Sequence, residues 1–292
     1  MARLKSKVMT KRILTVLLVL FLSGLATLFI NDQCNKKVFL TEYTFFHREV
    51  PSSFDGYKIL HISDLHNAPF AGQIINHIEE QKPDMIVITG DTTQLPDHNI
   101  DQILEIGKAA KEKGIPTYAV SGNHETQGGY YDKIIESYWA TDIIPLDNDS
   151  VCIEKGNESF LLLGIKDPTR TKVTKEHLEE IKEQIESEFP DGPCFSILLS
   201  HRADLYPDIK NTSADLILSG HLHGGIARLP FIGGLKGKQT DGSSLPKYEY
   251  GLYEDKKNAS MIVSGGCDKN PKKTRYFNPP EIVLITLKSE GK

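Results

Sequence analysis

The chain has 292 residues, a formal net charge of -5, 39% hydrophobic and 25% charged residues. That composition is ordinary for a globular protein, and no global basic field draws it to nucleic acid. Its cysteines, Cys34, Cys152, Cys194 and Cys267, are scattered without a Cys-x-x-Cys pair, which argues against a zinc ribbon and a disulfide-built scaffold. Cys194 lies in an apolar run and reads as core.

The chain opens on a different material. Arg3, Lys5, Lys7, Lys11 and Arg12 precede any acidic residue, and Ile13 to Ile30 then runs without a charge. As a helix this run would span roughly 27 Å, close to the hydrocarbon core of a bilayer. The basic flank predicts a cytoplasmic tail over 1–12, a single-pass signal-anchor over 13–30, and everything beyond it outside the cytoplasm. A cleaved signal peptide is the rival reading. Its apolar region is usually shorter, and Leu25-Ala26-Thr27-Leu28-Phe29 offers only a poor cleavage site.

Residues 31–56 read as a linker and lead-in strand, the β-prone part beginning at Lys37, and 57–292 as one domain. Ile59, Leu60 and Ile62 predict a buried strand that ends on Asp64 and His66. A helix is expected over 71–81, stopped by Pro83. Met85 to Thr89 predicts a second strand, ending on Gly90-Asp91, and 100–113 a helix closed by Gly114 and Pro116. Thr117 starts a third strand that ends on Gly122-Asn123-His124-Glu125, and 130–140 reads as helical. Three rounds of strand, polar tip and helix point to an α/β sandwich, in which ligands bind beyond the carboxyl ends of the strands.

Val151 to Glu154 and Ser159 to Ile165 read as a hairpin, and 174–189 as a charged amphipathic helix. Cys194 opens a strand ending on Ser200-His201. Leu216 to Leu218 precede Ser219-Gly220-His221-Leu222-His223-Gly224-Gly225, where two imidazoles stand two residues apart. On an extended chain such residues share a face. Residues 226–260 read as a long loop over the site, before strands at Met261 and Glu281.

The strand tips collect Asp64, His66, Asp91, Asn123, His124, His201, His221 and His223, five of the ten histidines among them. One such tip is ordinary surface polarity; five strands ending in potential ligands are not. Imidazole, carboxylate and amide donors without thiolate suit Mn, Fe, Zn or Ni. Seven donors are too many for one four-coordinate zinc and fit two divalent ions sharing a carboxylate. Such a pair clamps both oxygens of an in-line displacement and acidifies a bridging water to hydroxide.

In order and spacing, Asp64-x-His66, Gly90-Asp91, Gly122-Asn123-His124-Glu125, Ser200-His201 and Gly220-His221-x-His223 resemble the five motifs of the calcineurin-like metallophosphoesterases, over roughly 57–287. The resemblance implies a four-layer α/β/β/α sandwich of two mixed sheets with a two-metal centre. It implies that Asp64, His66 and His223 hold one ion, that Asn123, His201 and His221 hold the other, and that Asp91 bridges them. It further implies that His124 does not ligate but contacts the phosphate and helps protonate the leaving group. Gln94 stands where many relatives carry an acid that pairs with this histidine, and Leu222 where a threonine is common. The stretches after Gly224, at Tyr250 and at Arg275 look like the membrane-anchored or exported bacterial branch, phosphodiesterases among them, which is similar to enzymes that cleave UDP-diacylglucosamine.

The expectation is a metal-dependent phosphoester hydrolase, a phosphodiesterase by resemblance, acting on a substrate that the anchor allows to be lipid-linked, with exported nucleotides or wall polymers equally allowed by the residues. Arg228 and Arg275 are candidates to hold a second phosphate or a carboxylate on their planar forks of donors. A phosphomonoesterase or nucleotide phosphatase shares the five motifs. A scaffold that has lost catalysis is disfavoured because all seven ligand positions and His124 are present.

Overall fold

A computed structural model describes residues 2–168, 174–188, 194–229, 231–237, 247–255, 257–269 and 274–290. In chain order the elements are α1 (Ala2–Cys34), β1 (Phe39–His47), β2 (Lys58–Ile62), α2 (Ala71–Gln81), β3 (Met85–Thr89), α3 (Asp101–Glu112), β4 (Thr117–Val120), α4 (Asn123–Thr126), α5 (Tyr131–Ala140) and β5 (Ile143–Pro145). They continue with β6 (Asp149–Lys155), β7 (Glu158–Ile165), α6 (Lys175–Ser187), β8 (Ser196–Arg202), α7 (Tyr206–Ile209), β9 (Leu216–Gly220), β10 (Arg228–Leu229), β11 (Gly233–Gly234), β12 (Gly251–Tyr253), β13 (Ser260–Val263) and β14 (Glu281–Ser289).

Two six-stranded sheets form, in the orders β1-β14-β2-β3-β4-β5 and β12-β13-β9-β8-β7-β6. Both are mixed. β14 runs antiparallel to β2 while β2, β3, β4 and β5 are parallel, and β12 and β6 are antiparallel edges on the second sheet. The lead-in strand β1 is the edge of the first sheet, parallel to β14 along its whole length.

The two-residue period of a strand explains the layering. On the first sheet Ile59, Met85 and Val87 face inward, against Phe160, Leu162, Ile197, Leu199 and Leu218 of the second. Their neighbours Leu60, Ile62, Ile86 and Ile88 face outward onto Ile74 and Ile78 of α2, Ile103 and Ile106 of α3, and Ile134 and Tyr138 of α5. Leu161, Leu163, Leu198, Ile217 and Met261 pack the outer face of the second sheet against Ile185 of α6 and Tyr206 and Ile209 of α7. Strands covered on both faces read as unbroken apolar runs, which is how these appear in the sequence. The result is the α/β/β/α sandwich.

Helix ends follow the expected breakers. α2 stops at Lys82, whose backbone is left-handed (φ 48°) just before Pro83. Of the expected 174–189 helix, Lys175–Ser187 is helical and Phe189 lies outside the described residues. The region 226–260 is less of a loop than its glycines suggest. It contains the β10–β11 hairpin and β12, which pairs with β13, while 230, 238–246 and 256 lie outside the described residues. α1 extends past the expected 30 to Cys34, and its apolar residues from Ile13 to Ile30 are exposed. Residues 11–34 are long and apolar enough to cross a membrane.

Candidate metal centre

The carboxyl ends of β2, β3 and β4 meet those of β8 and β9 on one rim of the sandwich. Backbone hydrogen bonds tie the tips together: Asp64 N donates to Gly90 O at 3.0 Å, His66 N to Asp91 O at 2.9 Å and Asn67 N to Thr92 O at 2.8 Å. Across the sheets, His201 Nδ1 donates to Thr89 O at 2.6 Å and His221 N to Asp64 Oδ2 at 2.9 Å. Asp64, His66, Asp91, His221 and His223 all have left-handed backbone, with φ between 46° and 75°. Such conformations are uncommon for residues with a side chain and cluster at functional sites.

Three groups of donors lie close enough together to hold an ion: two that share no residue, and a third, His66, Asp91 and His124, that overlaps both. Of the two separate sets, Asp91, His201 and His221 form one and Asp64, His66 and His223 the other, the donor atoms within each lying within 4.8 Å of one another. In the first, His221 Nδ1 faces His201 Nε2 at 3.1 Å and Asp91 Oδ2 lies 3.4 Å from His201 Nε2. In the second, His66 Nε2 faces His223 Nε2 at 3.4 Å, with Asp64 Oδ1 3.6 Å from His223. The same Asp91 Oδ2 is 3.6 Å from His66 Nε2, so this oxygen stands between the sets. Its partner oxygen is held by the His124 backbone N–H at 2.9 Å.

These residues fit a pair of cations. His66 Nδ1 is on Thr93 O at 3.0 Å and His201 Nδ1 on Thr89 O, so each ring turns Nε2 toward the centre. Ring nitrogens facing each other at 3.1–3.4 Å repel unless a proton or cation lies between them. The Asn123 carbonyl Oδ1 is buried without a hydrogen-bond partner among the described residues, as suits a metal-ligand oxygen. Without a cation a proton takes its place. Burial opposes charge on His201, but the Asp91 carboxylate and the more distant Asp64 and Asp167 outweigh it and raise its pKa to about 10. Burial lowers His66 to about 4 and His221 well below the usual imidazole value, which leaves both neutral and able to ligate.

Two supporting carboxylates were not assigned roles from the sequence. Asp268 is buried at the tip beyond β13, and its Oδ1 is 3.1 Å from His223 Nδ1. It is held by Arg275, whose Nε donates to the same oxygen at 2.7 Å and whose Nη2 contacts both that oxygen and Gly265 O. The signal was present: β13 also ends in glycines followed by an acid, Gly265-Gly266-Cys267-Asp268. Glu125 is fully buried and accepts the backbone N–H groups of Asp91, Thr92, Thr93 and Gly122 at 2.6–3.1 Å, clamping the loops after β3 and β4. Burial, then the Asp91 charge, pushes its pKa up to about 7.

His124 reaches the rim of the centre, its Nε2 3.9 Å from Asp91 Oδ2. No acid pairs with it from position 94; Gln94 instead donates to Leu95 O at 3.2 Å. The Leu95 backbone N–H points at His124 Nδ1 at 3.4 Å, which makes Nδ1 an acceptor and leaves the proton of the neutral ring on Nε2. A cleft lined by His66, Gln94, His124, His223, Ile226, Asp268 and Arg275 opens onto this group.

Two expectations change. His221 and His223 do not share a face of an extended chain. β9 ends at Gly220, positive φ at both histidines breaks the extension, and the rings diverge to different donor sets. Leu222 between them is buried in the core against the second sheet. The arginines are engaged within the protein. Arg275 is buried on Asp268, and Arg228 stacks 4.4 Å over Tyr250, 3.5 Å from Glu249.

Two six-stranded sheets with helices outside, and two donor sets at the strand tips with Asp91 Oδ2 between them, define a sandwich whose rim could hold two metal ions. The chain belongs to the calcineurin-like phosphoesterase family, whose sequence model it matches over residues 57–225. Among its relatives, YkuE of Bacillus subtilis, named an uncharacterized metallophosphoesterase, is 29% identical over 270 residues, covering 85% of each chain. An uncharacterized metallophosphoesterase of Aquifex aeolicus is 28% identical over 262 residues, 86% of this chain and 92% of the relative. A Danio rerio transmembrane protein with a metallophosphoesterase domain is 26% identical over 264 residues, 82% of this chain and 55% of its own length.

Proposed function

We propose that the chain is a two-metal phosphoester hydrolase, a phosphodiesterase in preference to a monoesterase, anchored by residues 13–30 with the domain 57–292 outside the cytoplasm. The observation that carries the hydrolytic reading is Asp91 Oδ2, placed between two imidazole-rich donor sets. Asp64, His66 and His223 would hold one divalent ion and Asn123, His201 and His221 the other, with Asp91 common to both. When bound, Mn, Fe, Zn or Ni supplies Lewis acidity toward a phosphoryl oxygen and an acidified water.

The protein's own groups do the rest. Asp91 fixes the spacing of the two sets because its other oxygen is tied to the His124 backbone. His124 offers its Nε2–H at the mouth of the cleft, where a phosphoryl or leaving-group oxygen would sit. Burial lowers the pKa of this ring, so it serves as a neutral donor. Arg228 and Arg275 reach a substrate anion only by giving up partners they now hold; Arg275, lining the cleft, is the nearer of the two.

The test is hydrolysis by the purified full chain, supplied in turn with Mn, Fe, Zn and Ni, of a panel of phosphodiesters and phosphomonoesters. The expected result is metal-dependent turnover, fastest on diesters. Asp91→Asn and His223→Ala should each abolish it while circular dichroism shows the fold intact. Full activity of Asp91→Asn in metal-supplemented buffer would remove the bridging role.

A further inference from the structure

The hairpin of β10 and β11 carries bulky apolar side chains at its tip that nothing in the described chain covers. Phe231 is 108% exposed and Ile232 70%. Leu229 and Leu235 flank them, and Tyr276 and Phe277 stand alongside, all exposed. The two segments are joined: Arg228 N donates to Tyr276 O at 2.9 Å, and Ala227 and Tyr276 form a parallel bridge. Leu229, Phe231, Ile232 and Phe277 border one shallow depression. A contiguous patch of this kind marks an interface.

The first helix says what covers it. Leu28, Phe29 and Ile30 close the apolar stretch of α1 and are exposed. The next residue, Asn31, is buried against the domain. Its Oδ1 accepts from Phe277 N at 2.9 Å and its Nδ2 donates to Arg275 O at 2.8 Å, and Asn35, one turn later, donates to the same carbonyl at 2.8 Å. Successive helical residues rise only about 1.5 Å. The backbone of Phe277 therefore lies level with the point at which α1 leaves its apolar surroundings. Aromatic and aliphatic side chains at that depth partition into the interfacial zone of a bilayer.

We propose that the tip of this hairpin, with Tyr276 and Phe277, is a second membrane contact that dips into the phospholipid bilayer spanned by α1. The inference rests on α1 being a membrane anchor. Ile226 leads into the hairpin and also lines the cleft beside His66 and His124, so the contact seats the mouth of the metal centre on the headgroup layer. The substrate class this arrangement suits is a phosphoester whose carrier stays in the membrane.

Trp139, exposed on α5, is the chain's one tryptophan, which makes the contact measurable. The test is Phe231→Trp in a Trp139→Phe background, with the full chain reconstituted into phosphatidylcholine vesicles whose acyl chains are brominated near the glycerol. Insertion gives blue-shifted emission that is quenched by the brominated lipid, whereas Trp139 of the unsubstituted chain is not quenched. Unquenched, water-like emission overturns the proposal. Blue-shifted emission that bromine leaves unchanged, but that varies with protein density, assigns the patch to a second copy and also overturns it. A chain that does not float with vesicles sinks the anchor reading instead. In a second arm, Phe231→Asp with Ile232→Asp lowers kcat/KM on a vesicle-borne phosphodiester by about tenfold or more and leaves a water-soluble chromogenic diester unchanged. Equal rates for mutant and parent on the vesicle-borne ester overturn the substrate class. Absence of turnover of either ester by the parent counts against the hydrolytic reading alone, because the fluorescence still decides the contact.

Discussion

Asp268 shows how much of the centre depends on residues that lie behind the facing donors. A metal-ligating imidazole is fixed by whatever accepts from its second nitrogen. For His66 and His201 that acceptor is a backbone carbonyl, which no substitution removes. For His223 the group beside that nitrogen is the Asp268 carboxylate, 3.1 Å away, which Arg275 holds in turn. Burial resists charge on His223, yet the carboxylates of Asp268 and Asp64 raise its pKa. Asp268→Asn leaves an acceptor in place but removes the charge and frees Arg275. The expected outcome is a loss of metal affinity of about 10–100-fold in the Asp64–His66–His223 set. The other set, which Asp268 does not touch, should keep its affinity. Competition with a chelator, followed by metal analysis, separates the two. Equal loss from both sets would mean that Asp268 acts on the fold and not on His223.

At the scale of elements, the site is made by how closely strand ends approach. Gly220, the last residue of β9, lies so near the β2 tip that a Cβ there would sit 1.9 Å from Ser63 Oγ and 2.3 Å from Asp64 Oδ2. Gly220→Ala must therefore push β9 away from Asp64, and the His221 N–H bond to that carboxylate goes with it. Overpacking of this kind costs about 1–3 kcal/mol. The expected variant folds, melts several degrees lower and binds metal weakly; an unchanged melt with full metal content would show that the tips tolerate separation. The strands themselves were legible because buried sheets impose unbroken apolar runs, and the donors because each follows such a run. The divergence of His221 and His223 was not legible. Positive φ at a histidine is enforced by contacts from distant chain, here Asp64 on His221 and Asn278 on the His223 carbonyl at 2.7 Å. Nor were β5 and β12, three residues each, too short for a period to register. The pairing of Arg275 with Asp268, seven residues earlier, follows no sequence period and is visible only in the folded chain.

At the scale of the molecule, the donor sets join the two halves of the sandwich. Asp64, His66 and Asp91 stand on the first sheet and His201, His221 and His223 on the second, so each set draws ligands from both. Elsewhere the sheets are held mainly by apolar packing, the largest parts of it Phe54, Phe160 and Phe195, with Phe54 and Phe160 edge to face at 4.9 Å, and by a few polar contacts such as those of Glu281 with Tyr250 and Gly265. Apolar packing of this kind has no preferred register along the rim, whereas a cation shared between the sheets would fix one. Ions bound only by the folded protein stabilise it by about 2.7 kcal/mol at a hundredfold excess over Kd. Their removal leaves facing imidazoles at 3.1–3.4 Å and the buried Asp91 carboxylate with only protons to offset them. Chelation should therefore lower the melting temperature and open the rim before the rest. Hydrogen exchange should rise at the backbone of Asp64, His66, Asp91 and His221, while β3 and β8, buried on both faces, stay protected. If metal removal changed neither the melt nor exchange at the tips, the sheets would be locked by packing alone. The centre would then be a passenger on the fold.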